Sequence, residues 1–425
     1  MSKNMDRTAN NDRHTHMKKY VLCIALLYCC VSATAKSKVL TGIEVLKQQN
    51  FKILKGKRVG LVTNPTGVDN ELRSDVDILA AVQGIKLVTL FGPEHGVRGS
   101  AHAGFNVEDN RDEATGLPVY SLYGKYRVPA KEMLQGIDVL VYDIQDIGCR
   151  SFTYVSTLGN IMKAAAENNI QVVVLDRPNP LGGLKIEGNI TEDNCISFVS
   201  RLKIPYIYGL TVGELALLLN GENMLGAKCD LTVIKMKGWK RRMTYADTGL
   251  PWVLPSPHIP EPISAPFYAV SGIVGELDDI SIGVGYTLPF QIFGASWIKA
   301  YELASAMNAL NLQGVTFRPI YYAPFYSKGK GKELQGVQVY FTNYHKARLC
   351  DTQFYLLQEL YRLYPDHDIL GQASTNRKDM FDKVCGSKEI RRLFMQHHHW
   401  ADARSYWDKD VEAFRQLSQK YYLYK

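Results

Sequence analysis

Apolar residues fall along this chain in short unbroken runs, separated by polar stretches rich in Gly, Pro, Asn and Asp. Four runs stand out in the first half: 57–63, 86–91, 138–142 and 171–175. Runs of that length between turn residues predict strands buried on both faces. Between them, 75–82 and the Ala- and Met-rich stretch 152–168 have helical spacing. Strand and helix alternate, which predicts βαβ units, a parallel sheet and the α/β fold class. A further strand is expected over 229–236. Residues 249–268 are proline-rich and read as loop. The character changes near 290: a helix over 297–310, strands over 315–322 and 336–342, then helices near 351–363, 387–396 and 408–421. This predicts a catalytic-size α/β domain over 36–290 and a smaller α+β domain over 291–425.

Each of the four strands ends in a polar loop. The loops carry Asn64 and Thr66; Glu94, His95 and Arg98; Asp143, Gln145, Asp146 and Arg150; and Asp176, Arg177 and Asn179. In a parallel sheet the carboxyl ends of the strands share one edge, so these loops converge on one crevice. The second loop, 92–118, is long, and loops of that length are usually functional. Carboxylates at strand ends suit glycoside hydrolysis, which needs an acid and a base or nucleophile beside the scissile bond. Glu94 is the candidate acid. Asp143, Asp146 and Glu187 are candidates for the second role, and each could instead hold loop backbone. Thr211 with Glu214 reads as a capping box, so Glu214 is assigned to structure.

Other motifs narrow the field. No G-x-G-x-x-G or Walker A sequence occurs, so no nucleotide cofactor is expected. Three adjacent histidines, His397 to His399, cannot share a helix face, and no metal is expected. Ser327 and Lys330 match S-x-x-K without supporting motifs. An acyl-enzyme reading would need Ser327 as nucleophile.

The chain has 425 residues, 46% of them hydrophobic, enough for two or three domains with a sizeable core. Residues 1–35 read as a secretory leader: Lys18-Lys19, an apolar run to Val31, then Ala33-Thr34-Ala35. Export to the periplasm is expected, with lipid attachment at Cys29 or Cys30 a less supported alternative. Without the leader's five basic residues and two aspartates the formal charge falls from +8 to +5. That suits an anionic substrate, and no basic block marks a nucleic-acid site. The five remaining cysteines are odd in number and widely spaced, without a C-x-x-C, so no dense disulfide framework is expected and room is left for a single bridge.

The motifs, taken in order, resemble the exo-β-N-acetylmuramidase family of glycoside hydrolases. They are 60–67 (GLVTNPTG), 91–96 (FGPEHG), 116–124 (GLPVYSLYG), 143–148 (DIQDIG), 175–180 (LDRPNP), Glu187-Gly188 and 210–215 (LTVGEL). The resemblance spans roughly 40–365. It implies a Rossmann-like N-terminal domain, a smaller C-terminal domain, an active site in the cleft between them, and release of terminal N-acetylmuramic acid from peptidoglycan fragments. It places the expected catalytic glutamate at Glu94 and the glutamate of the E-G motif at Glu187; the strand-end reading adds Asp143 as a further catalytic carboxylate. Asn64, His95, Arg98, Gln145, Asp146, Arg150, Arg177 and Asn179 become candidate substrate-binding residues. An arginine, Arg98, Arg150 or Arg177, is expected on the lactyl carboxylate. Two segments depart from the family pattern. Phe105 replaces a glutamate, and 282–290 (IGVGYTLPF) replaces E-G-R-G-T-T-R-P-F, with apolar residues where charges are usual. The competing reading is a non-catalytic cell-wall glycan-binding protein.

Overall fold

The structure is a computed structural model that describes residues 39–99 and 109–425. The expected leader and Phe105 lie outside the described residues. A seven-stranded sheet runs in the order β3-β4-β2-β1-β5-β6-β7. Its strands are β1 (Arg58–Thr63), β2 (Lys86–Gly92), β3 (Asn110–Arg111), β4 (Pro118–Ser121), β5 (Val139–Asp143), β6 (Gln171–Leu175) and β7 (Leu231–Ile234). All pairings are parallel except β3 with β4 at one edge. Every residue of β5 is buried, as the unbroken apolar run requires. The chain leaves β1 for β2 on one side and returns to β5 on the other. The sheet's switch point therefore lies between β1 and β5, where ligands collect in such folds.

A second sheet of three antiparallel strands has the order β8-β10-β9. It is formed by β8 (Ile292–Ala295), β9 (Val315–Tyr322) and β10 (Leu334–Phe341). With its flanking helices it makes the smaller α+β part.

Two features differ from expectation. The first is a buried helix over Ser264–Gly275, partly inside the stretch read as loop. Pro266 is its third residue, where the missing N–H has no intrahelical partner to lose. This helix packs on Leu349–Leu363, so 264–275 go with the C-terminal part and not with the sheet. The second is the chain's end. The last helix, Val411–Gln419, buries Phe414 in the core of the large sheet's helices. Tyr424 then donates its hydroxyl to Asp176 behind β6. Residues 411–425 thus return to the N-terminal part. All five described cysteines are buried free thiols, so none of them forms a disulfide.

Candidate active site

The loop after β2 turns sharply. His95 and Gly96 both have left-handed backbone, with φ of 73° and 77°. A Cβ on Gly92 would come within 2.9 Å of the Val97 nitrogen. Glycine at 92 and 96 thus lets the chain fold back at the strand end. The turn presents Glu94 and His95 to a cavity of about 400 Å³. The sheet side of this cavity also contributes Tyr123, Thr153 and Tyr154. The opposite wall comes from the helix Ser264–Gly275 and the segment 276–290, and includes Tyr268, Glu276, Ile282 and Phe290.

Thr153 donates its hydroxyl to Glu94 Oε2 at 3.2 Å. Burial raises the Tyr123 phenol to about 12, and the adjacent Glu94 carboxylate adds to the rise. Glu94 is thus flanked by two hydroxyls at the end of the cavity nearest the sheet. Across from it, burial raises the Glu276 carboxyl above its ordinary range. Arg377 opposes that shift and Asp278 adds to it. Arg377 itself reaches Asp278 at 3.4 Å. His258, whose Nε2 lies 2.9 Å from the Tyr326 hydroxyl, and Lys328 complete the polar rim.

The four strand-end loops do converge, but most of their charged and amide groups bond to one another. Thr63 donates to the Asp143 carbonyl at 3.0 Å, and the Gln145 N–H donates to Thr66 Oγ1 at 2.8 Å. Thr66 in turn donates to Asn64 Oδ1. Gln145 Nε2 donates to the Asp146 and Pro178 carbonyls, and Asn179 Nδ2 to the Leu210 carbonyl. Asp146 accepts from the Gly148 N–H and the Tyr208 hydroxyl. Arg177 grips Asp143 with two nitrogens. None of these side chains lines the cavity.

The remaining expected site residues are also placed elsewhere. Arg98 pairs with Asp112 and Asp77 and lines a separate hollow with His95. Arg150 is completely buried. It donates to the carbonyls of Asn189, Ile204, Val384 and Cys385, so it ties the two parts together. Glu187 accepts from the Leu349 and Cys350 N–H groups at 3.0 and 2.8 Å. It caps the helix Leu349–Leu363, a common use of a carboxylate at a helix start. Of the eleven residues expected at the site, Glu94 and His95 line the cavity.

The residues missed are Tyr123, Tyr268, Glu276, Lys328 and Arg377. Tyr123 lies in the motif 116–124 and Tyr268 at the end of the stretch read as loop, and neither was singled out. Glu276 was hidden by the loop reading of 249–268, although the small and apolar run 265–274 (APFYAVSGIV) before it is a usable helix signal. Arg377 lies on a helix, Thr375–Cys385, that the sequence pattern did not single out.

Comparison with known proteins bears on this geometry. The N-terminal and C-terminal models of the exo-β-N-acetylmuramidase NamZ family match residues 59–263 and 267–424. The chain belongs to the exo-β-N-acetylmuramidase family. It is 46% identical over 390 residues to the peptidoglycan β-N-acetylmuramidase NamZ of Bacillus subtilis, covering 92% of each chain. Two crystal structures of DUF1343 family proteins from Bacteroides fragilis share the fold. One is 63% identical with a TM-score of 0.89, covering 91% of this chain and 99% of its own. The other is 28% identical with a TM-score of 0.73, covering 92% and 99%. The two exo-β-N-acetylmuramidase models meet between 263 and 267, at the start of the helix Ser264–Gly275 and ahead of the expected boundary at 290. Ile282 and Val284, which stand where the family pattern has a glutamate and an arginine, form part of the cavity wall. That wall is therefore more apolar here than the exo-β-N-acetylmuramidase pattern implies.

Proposed function

We propose that this protein is an exported exo-β-N-acetylmuramidase that releases terminal N-acetylmuramic acid from peptidoglycan fragments, with Glu94 as general acid. The observation that carries the reading is Glu94 itself. It stands on a strand-end turn, inside the cavity, with the Thr153 hydroxyl on its Oε2. The Bacillus subtilis relative, a peptidoglycan β-N-acetylmuramidase, supports the substrate class.

In this mechanism the sugar ring lies between Glu94 and the helix Ser264–Gly275. Glu94 protonates the leaving oxygen as the glycosidic bond breaks. The second group is the substrate's 2-acetamido oxygen, which bonds to the anomeric carbon as the glycosidic bond breaks, with Glu276 accepting the acetamido N–H; water then attacks that carbon, gives its proton to Glu94, displaces the acetamido oxygen and releases N-acetylmuramic acid. Asp143 and Glu187 take no part, since one is held by Arg177 and the other caps a helix. Lys328 and Arg377 take the lactyl carboxylate in place of Arg98, Arg150 and Arg177.

The test is hydrolysis of a chromogenic β-N-acetylmuramide beside the matching β-N-acetylglucosaminide. Cleavage of the muramide is expected. Cleavage of the glucosaminide alone would mean the apolar 282–290 wall has changed the specificity. Saccharide binding in a calorimeter without turnover of either would favour a glycan-binding protein. Export is tested by the N-terminus of the protein recovered outside the cytoplasm, expected just after Ala35.

A further inference from the structure

A second pocket, of about 680 Å³, adjoins the cavity across Asp278, Ser327 and Lys328, which line both. One wall is the turn between β9 and β10, where the sequence reads Ser327-Lys328-Gly329-Lys330-Gly331-Lys332. Backbone bonds shape this turn: the Lys330 N–H donates to the Ser327 carbonyl at 3.2 Å and the Lys332 N–H to the Gly329 carbonyl at 3.0 Å. Its base is anchored by the Phe325 N–H on the Gly285 carbonyl at 2.8 Å. Gly329, with φ of +84°, supplies a backbone conformation that a side chain would strain. The facing wall carries Trp297, stacked on His367 at 4.0 Å and edge-on to Tyr364 at 5.2 Å.

The charges here are unbalanced. Asp279 is taken by His367 at 2.8 Å and Asp278 by Arg377. Among the described residues, no carboxylate pairs with Lys328, Lys330 or Lys332. The pocket therefore offers an anchored indole and a run of ammonium groups beside the cavity that Glu94 lines. A flat indole suits the C–H face of a pyranose.

We propose that this pocket binds the glycan beyond the scissile bond, with Lys330 and Lys332 engaging carboxylates carried along the strand. The proposal rests on the muramidase reading of the neighbouring cavity. The chemistry recognised is a saccharide-borne carboxylate, either the lactyl group of the next muramic acid or an acid on its attached peptide. Each exposed lysine contact is weak by itself. Several acting on a polyanion add up, and they also draw it in from solution, an effect that salt weakens.

The experiment compares wild type with the double variant Lys330→Ala/Lys332→Ala on three substrates. These are the chromogenic muramide, a peptide-free oligosaccharide of alternating N-acetylmuramic acid and N-acetylglucosamine, and the same strand bearing peptides. The variant should match wild type on the chromogenic substrate, which also reports that it folds. Its KM for the strands should rise about threefold to tenfold at low salt, with the gap closing as salt is added. A rise on the peptide-free strand assigns the lactyl carboxylate; a rise confined to the peptide-bearing strand assigns the peptide acid. Equal KM on both strands overturns the proposal. Wild type inactive on the muramide overturns the muramidase reading and the pocket assignment with it.

Discussion

Arg177 holds Asp143 through two nitrogens, with Nη2 on Oδ2 at 2.9 Å, and both side chains are buried. The pair joins the loop after β6 to the end of β5. A carboxylate positioned at a strand end thus acts as a tie between loops. Asp143→Ala would leave the guanidinium buried without its counter-charge, at a cost of about 3–5 kcal/mol. The check is urea unfolding of the variant beside wild type; a loss under about 1 kcal/mol would contradict the tie role.

Glu94→Gln keeps the shape of the side chain and removes the proton donor. Turnover of the chromogenic muramide should fall about 10²- to 10⁴-fold while KM changes little. The melting temperature should stay near that of wild type, because Glu94 is only partly buried and glutamine retains an oxygen for the Thr153 hydroxyl. Near-normal turnover by this variant would remove Glu94 from the mechanism.

Glu187→Gln tests the opposite outcome for the other family glutamate. It weakens the cap on the helix Leu349–Leu363, where the carboxylate now accepts two N–H groups. A stability loss of about 1–2 kcal/mol is expected. The kcat at 25 °C should remain within about threefold of wild type, since the side chain does not line the cavity. A large fall in kcat with an unchanged melting temperature would return Glu187 to catalysis.

Asp146 gives a pH dependence. Burial raises its carboxyl to about 6, against the pull of the Tyr208 hydroxyl and two backbone N–H groups. A group whose pKa is raised on folding contributes stability that is complete below its unfolded value. That contribution drains away as pH rises through the folded value. Asp146→Asn retains an oxygen for the Gly148 and Tyr208 donors and carries no charge. The variant should match wild type near pH 4 and exceed it by on the order of 2 kcal/mol at pH 8, as read by thermal melts across that range.

Glu276 was not among the expected site residues, so its variant is informative. Glu276→Gln should lower kcat/KM on the muramide about tenfold, and it should weaken binding of N-acetylmuramic acid more than binding of the sugar that carries a hydroxyl at C2, as read by calorimetry. Equal losses of affinity for both sugars would place Glu276 in cavity shape alone and not on the acetamido group.

The apolar runs and the polar loops that end them were enough to locate β1, β2, β5 and β6 and to infer that they run parallel, while their order in the sheet came from the structure. Four strands buried on both faces can neither alternate polar with apolar residues nor tolerate Pro or Asp inside them. The convergence of their loops follows from that topology, and so does the presence of Glu94 at a ligand-facing edge. The same local pattern held no record of pairing across loops. Asp143 meets Arg177 across 34 positions, Glu187 meets the helix at Leu349 across 162, and Arg150 meets the Cys385 carbonyl across 235. Each was a polar residue at a plausible place, and which partner claimed it depended on distances that chain separation does not encode. The opposite wall was less legible still. Tyr268, Glu276 and Arg377 lie on or beside helices packed against one another, and a helix's exposed, buried or cleft-facing side is chosen by its neighbours. Sequence alone thus determined the sheet, the edge where its loops converge and the place of Glu94 on that edge. Only the tertiary structure decided which of the converging charges bind each other and which remain facing the cavity.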